Sequence, residues 1–181
     1  MAVVEIIVTA FWLMLPAYVP NNVAVLVGGG PPIDGGRTYG DSRLLGDGKT
    51  WRGSAGGIAA GSLLALGLNA AEPMLRPTLG FALPSFPLHA GVALATGAIL
   101  GDIGASFLKR RTGRERGAAF PGVDQLDFVV GAFAVTIPVA YGWFTTNFTP
   151  GVLLVVLVIT PILHVSTNWI AYQLGLKDEP W

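Results

Sequence analysis

The sequence predicts an all-α integral membrane protein: a bundle of about five transmembrane helices with two polar cytoplasmic loops, its N-terminus outside and its C-terminus inside. Three observations carry this. Of 181 residues, 52% are hydrophobic and 12% charged, with a mean hydropathy of +0.60, whereas a soluble domain carries roughly 25% charged residues. Five apolar segments approach the ~20 residues a helix needs to cross a bilayer. Nine of the eleven Lys and Arg residues fall in two windows, 37–52 and 109–116. The chain has no cysteine, which excludes disulfides and thiolate metal sites.

The first segment is 2–19, closed by Pro16 and Pro20. It lacks a basic leader and a small-residue cleavage site, and reads as a retained helix rather than a signal peptide. The second is 54–71, ended by Glu72 and Pro73, with Gly56, Gly57, Gly61 and Gly67 allowing close approach of a neighbouring backbone. The third is 88–108, preceded by Pro84 and Pro87; the fourth is 125–144, kinked at Pro138; the fifth is 151–172, interrupted by Pro161. No internal repeat divides the chain, and residues 1–181 read as a single transmembrane domain. Trp12, Trp51, Trp143 and Trp169 are placed as interface anchors.

Orientation follows from charge. With five spans, the loops after the first and third helices share a side with the C-terminus. That side holds every Lys and Arg except Arg76, with Lys177 beside the two basic windows. The positive-inside rule makes it the cytoplasm.

The first polar loop, 28–52, opens with Gly28-Gly29-Gly30-Pro31-Pro32, then carries DGGR (34–37) and RLLGDGKTWRG (43–53). Such a loop is either a solvated linker with ordinary inside charges or a phosphate cradle of bare backbone amides completed by Lys49 and Arg52. The GKT at 48–50 is not a P-loop, because Arg43 stands where the motif needs its first glycine and no strand precedes it. The second loop carries KRRTGRER (109–116), which by itself would also serve as an anchor to anionic headgroups.

Three aspartates alter that reading. Asp102, Ser106 and Lys109 share one face of the third helix, and Asp124 and Asp127 share one face at the start of the fourth. A helical hairpin would bring the two faces together. Asp124 could merely cap its helix, with Asp127 in the first turn beside the helix dipole. Asp102, a turn and a half inside its helix, needs another reason, and an intramembrane acid is a functional candidate by default. Clustered carboxylates without His or Cys suit Mg²⁺, which shares its shell with substrate phosphates. Asn21 and Asn22 could line the same pocket. Glu5 and His89 read as interfacial, and His164 with Asn168 as a packing pair.

Gly101-Asp102, Ser106-x-x-Lys109-Arg110, Pro121-Gly122 and Asp124-x-x-Asp127, in that order, resemble the signature of the phosphatidate cytidylyltransferases (CDP-diacylglycerol synthases). With DGGR, RLLGDGKTWRG, SFLKRR and DQLDF in a chain this short, the resemblance is to the archaeal branch, the CDP-archaeol synthases. It covers 20–128 in detail and the remainder by layout. The Lys-Asp pair and His-Gly-Gly of the bacterial and eukaryotic enzymes are absent, and Gln125 stands where they have Arg.

The resemblance implies a CTP-dependent nucleotidyltransferase of phospholipid biosynthesis. It would transfer a cytidylyl group to 2,3-di-O-geranylgeranylglyceryl 1-phosphate at the cytoplasmic face of the cell membrane. Its partners would be CTP, the prenylated lipid phosphate and the bilayer, with no nucleic acid. Asp102, Asp124 and Asp127 would hold Mg²⁺ and, with Lys109, form the catalytic set. Lys49, Arg52, Ser106, Lys109 and Arg110 would bind the triphosphate, and Asp34, Arg37 and Arg43 would contact nucleotide or lipid headgroup. Two other classes match the residues less well. A CDP-alcohol phosphotransferase needs Asp-Gly-x-x-Ala-Arg and a later Asp-x-x-x-Asp, which DGGR does not supply. A small transporter lined by Asp102 and His164 would show matching halves.

Overall fold

A computed structural model describes residues 2–40, 42–114 and 120–175. Among the described residues, its regular structure is helical apart from one short hairpin. The elements in chain order are α1 (Val3–Leu26), β1 (Thr38–Tyr39), β2 (Ser42–Arg43), α2 (Trp51–Leu79), α3 (Leu88–Arg111), α4 (Val123–Val139), α5 (Tyr141–Asn147) and α6 (Pro150–Gln173). Arg116 and Lys177, two of the charges used for orientation, lie outside the described residues.

Among the described residues, α1, α2, α3 and the stretch Pro150–Ile170 of α6 are long and apolar enough to cross a membrane. The fourth expected span is not one helix. It divides at Ala140 into α4, of 17 residues, and the short α5. Pro138 lacks the N–H that would continue the helical ladder, and the helix ends one residue later at Val139, capped where the Ala140 N–H closes on Thr136 O.

Two helices outrun their expected ends for the opposite reason. α1 continues through Pro16 and Pro20 to Leu26, and α2 through Pro73 and Pro77 to Gly80, whose left-handed backbone (φ 77°) stops it. Pro20 leaves the carbonyl of Pro16 without its helical donor, and α2 supplies a close neighbour instead. A β-carbon on Gly61 would meet that oxygen at 2.5 Å, and one on Gly57 would meet Pro20 O at the same distance. Protein packing of this kind lets prolines sit within membrane helices. Gly67, counted with them in the sequence, faces open space.

The contacts fix helix direction. Gly53, Gly57 and Gly61 meet residues 24, 20 and 16, so α2 runs antiparallel to α1. Gly97 meets Gly131 and Gly101 meets Asp127, so α4 runs antiparallel to α3. Gly151 lies against Ile6, and Tyr18 bonds Thr160, so α6 runs parallel to α1. The 28–50 segment, the C-terminal end of α3 and the start of α4 therefore gather at one end of the bundle. At the other end, Asn69 and Glu72 of α2 hold the backbone of Phe86 and Leu83, and Phe133, Phe144 and Phe148 pack ring to ring. Trp12, expected at an interface, is instead 5% exposed and donates its indole N–H to Pro84 O. A buried indole needs such a partner.

The first polar loop is a folded lobe. β1 and β2 pair antiparallel, Thr38 with Arg43 and Tyr39 with Ser42. Pro32 bridges to Thr50, and the Ile33 N–H donates to Lys49 O at 2.8 Å. Thr50 then caps α2 by accepting from the Gly53 N–H.

Candidate active site

The α3–α4 contact builds the site. Its glycines, Gly97 and Gly101 on α3 and Gly131 on α4, admit backbone against backbone. That contact draws Asp102, next to Gly101, to the level of Asp127. A cavity of about 550 Å³ opens beside this seam between α1, α3, α4 and α6. Asp102, Ser106, Lys109, Asp124 and Asp127 line one wall. Asn21, Asn22 and Tyr18 of α1 and Thr160, His164 and Asn168 of α6 line the other. Phe11, Leu15, Phe128 and Leu163 give the cavity an apolar part.

Two of the three carboxylates are paired with lysines. Lys109 Nζ lies 2.7 Å from Asp124 Oδ1, and Lys49, reaching in from the lobe, pairs with Asp102 Oδ2. The other oxygen of Asp124 accepts the Phe120 N–H at 2.9 Å. Asp124 thus both tethers the turn before α4 and faces the cavity, so its capping role and a site role coexist.

The remaining residues singled out in the sequence lie outside the cavity lining. Arg52 donates to the carbonyls of Val27 and Gly28 and so caps the end of α1. Arg110 donates to Arg114 O at 2.7 Å, and Arg37 is exposed on the lobe. Asp34 is the nucleus of the lobe. Its buried carboxylate takes a two-point contact from Arg43 (2.7 and 3.3 Å) and the N–H groups of Gly36, Leu45 and Gly46. The Arg43 guanidinium, aided by those N–H groups, holds the Asp34 carboxyl well below the usual carboxylate range against the opposing effect of burial. Arg43 is raised in turn, by Asp34 and then Asp47. Both partners are occupied with each other, which is a structural employment.

Among the described residues, no three acidic or imidazole side chains converge closely enough to ligate one ion directly. The donor set still has the chemistry of a hard divalent cation. Three carboxylates face one space, no thiolate competes, and two of the acids are held by ammonium groups that a cation and an anionic ligand would redistribute.

Sequence reasoning passed over several residues. Gly97 and Gly131 were not singled out, and Gly101 only as part of a motif, though the four-residue spacing of Gly97 and Gly101 is a small-residue interface pattern. His164 and Asn168, read as packing, line the cavity and bond each other. With Thr160, they form a polar stripe at four-residue intervals on a mostly apolar helix, which is a readable signal.

A helical membrane bundle with an acid–base chamber continuous with an apolar cleft defines an intramembrane enzyme. The chain belongs to the CarS-like CDP-archaeol synthase family, whose model it matches over residues 3–181. It is 66% identical to the CDP-archaeol synthase of Haloarcula marismortui over the full length of both chains. It is 62% identical to that of Natronomonas pharaonis, over 99% of this chain and 100% of the relative. With that of Methanosarcina mazei it shares 50% identity, over 93% and 100%. A solved structure of an intramembrane enzyme for archaeal membrane lipids biosynthesis matches with a TM-score of 0.70 at 38% identity, covering 90% of this chain and 94% of that one.

Proposed function

We propose that the protein transfers a cytidylyl group from CTP to a prenylated glycerol phosphate, 2,3-di-O-geranylgeranylglyceryl 1-phosphate, giving a CDP-activated lipid and pyrophosphate. The observation that carries this reading is the continuity of one cavity, with Asp102, Asp124, Asp127, Ser106 and Lys109 beside the apolar side chains of Phe11, Leu15 and Leu163. A lipid phosphate has the same two-part chemistry.

In this reading a lipid phosphate oxygen attacks the α-phosphorus of CTP, and the bond to pyrophosphate breaks. The phosphate monoester is already a nucleophile near neutral pH, so the protein mainly aligns the reactants and balances their charge. Lys109 and Lys49 face the triphosphate, each able to exchange its aspartate for phosphate oxygens. The Ser106 hydroxyl donates to a phosphate oxygen. Phe11, Leu15 and Leu163 hold the prenyl chains and keep water from that side. Asp102, Asp124 and Asp127 would hold Mg²⁺, which when bound neutralises charge on the nucleotide phosphates. Arg37, Arg52 and Arg110 would guide the nucleotide from the rim.

The bundle supports five crossings, with α4 and α5 together as the fourth. The basic residues around the lobe and the end of α3 support placing the site at the cytoplasmic face.

Purified protein given labelled CTP, Mg²⁺ and the lipid phosphate is expected to release pyrophosphate only when the lipid is present. Release should stop with a divalent chelator and return with Mg²⁺. Release of CMP from a CDP-lipid instead would point to a phosphotransferase. Inactivity in both assays would overturn the reading.

A further inference from the structure

The consecutive basic residues at the end of α3 point to different places, as the helix's turn of about 100° per residue requires. Lys109 enters the cavity, Arg110 turns to the carbonyl of Arg114, and Arg111 reaches back to the lobe. The Arg111 guanidinium donates to three lobe carbonyls: Tyr39 O at 2.9 Å, Arg43 O at 3.0 Å and Ser42 O at 3.4 Å. It also lies 5.0 Å from the centre of the Tyr39 ring and 5.5 Å from that of Phe107. Arg111 is not among the residues lining the cavity.

The lobe transmits this contact. The hairpin strand that Arg111 grips ends in Arg43, which is locked to Asp34. Asp34 in turn accepts from the N–H groups of Leu45 and Gly46, and Ile33 pins the backbone of Lys49. Lys49 then meets Asp102 beside a crevice of about 30 Å³ that both share with Asn21. Asp102 and Asn21 also line the main cavity.

We propose that Arg111 is a positioning residue: resting on the nucleotidyl-transfer reading above, its guanidinium docks the lobe onto α3 and thereby sets Lys49 against Asp102 at the active cavity. A flat fork gripping several carbonyls in one geometry fits this task, and a lysine cannot reproduce it.

The test uses the full-length protein in detergent, with Arg111→Ala, Arg111→Lys, Lys49→Cys and the double variant Arg111→Ala/Lys49→Cys. The natural chain has no cysteine, so Lys49→Cys carries a unique thiol. A water-soluble maleimide should label it about tenfold faster once Arg111 is alanine, because the docked lobe opens locally. In the activity assay, Arg111→Ala should raise the KM for CTP about tenfold while barely changing that for the lipid. Adding it to Lys49→Cys should cost less than about twofold more, the non-additivity expected of residues that act through one contact. Arg111→Lys should fall short of full rescue.

Unchanged labelling, or activity losses that multiply, would overturn the proposal. So would failure of both Arg111 variants to be extracted folded, since the guanidinium would then be a requirement of the fold. Absence of lipid-dependent pyrophosphate release in the unsubstituted protein would sink the nucleotidyl-transfer reading instead, and the labelling arm would still report on docking.

Discussion

Gly101 on α3 lies directly against the main-chain carbonyl of Asp127 on α4, with no room between them for a β-carbon. Asp102, next to Gly101, and Asp127 itself both line the cavity, so this one approach sets the distance between the acids of α3 and those of α4.

Gly101→Ala should therefore damage both fold and chemistry. The obstacle is backbone, at Asp127 and Phe128, and cannot rotate away. Overpacking of this kind costs about 1–3 kcal/mol. Parting the helices by a fraction of an ångström should lower turnover about a hundredfold, because alignment is most of the catalysis. Thermal unfolding in detergent and the pyrophosphate assay measure the two effects. A variant with ordinary activity would show that the seam tolerates separation.

Asp124→Asn should reduce turnover at least about a hundredfold, in the range seen when one electrostatic group of a phosphoryl or acyl site is removed. The amide keeps an oxygen for the Phe120 N–H, so the turn before α4 should persist and the protein should still be extracted folded. Near-normal pyrophosphate release in the folded variant would remove Asp124 from the site.

Asp34 predicts a pH dependence of the lobe. Its folded pKa lies below the unfolded value of about 4. Ionised Asp34 therefore stabilises the lobe fully at pH above that value, and the contribution is lost as pH falls through the depressed folded value. Limited proteolysis should leave residues 28–50 intact from neutral pH down to about 4. Asp34→Asn should expose them at neutral pH, because Arg43 loses its carboxylate. Equal resistance in the two proteins would contradict the role assigned to this pair.

Leu15→Trp should narrow the apolar part of the cavity. The expected result is a rise of about tenfold in the KM for the lipid phosphate with the KM for CTP nearly unchanged, the signature of lost uniform binding of one substrate. A matching rise for CTP would place the nucleotide, not the chains, against Leu15.

Much of the bundle was legible along the chain. The third segment, expected at 88–108, is α3 over Leu88–Arg111, and the last, expected at 151–172, is α6 over Pro150–Gln173. Both begin beside prolines that pre-set the chain for a helix start. The misjudged ends belong to Pro16, Pro20 and Pro73, read as terminators because each lacks an N–H. Whether a proline ends a helix depends on what covers the carbonyl it frees; Pro20 frees the Pro16 carbonyl, and the neighbour there is Gly61, forty-five residues from Pro16 in the chain. The candidate site divides in the same way. Asp102, Ser106, Lys109, Asp124 and Asp127 were readable from spacing on two helices joined by a short connection, and they line one cavity. Asp34 and Arg43 carried the same kind of signal, a charge in a glycine-rich loop, yet they bind each other inside the lobe.

The sequence by itself determined that this is a helical membrane protein, where most of its long apolar helices lie, where the charges gather and which acids share a cavity. Those properties follow from the free energy of moving side chains between water and lipid, and from helix periodicity, both of which act locally along the chain. Only the tertiary structure decided which carboxylate each lysine meets, which arginines serve the lobe and which turn outward, and that α1 and α6 supply the wall opposite the aspartates. These depend on backbone approach at a few glycines and on register between segments far apart in the chain, and neither composition nor periodicity contains that information.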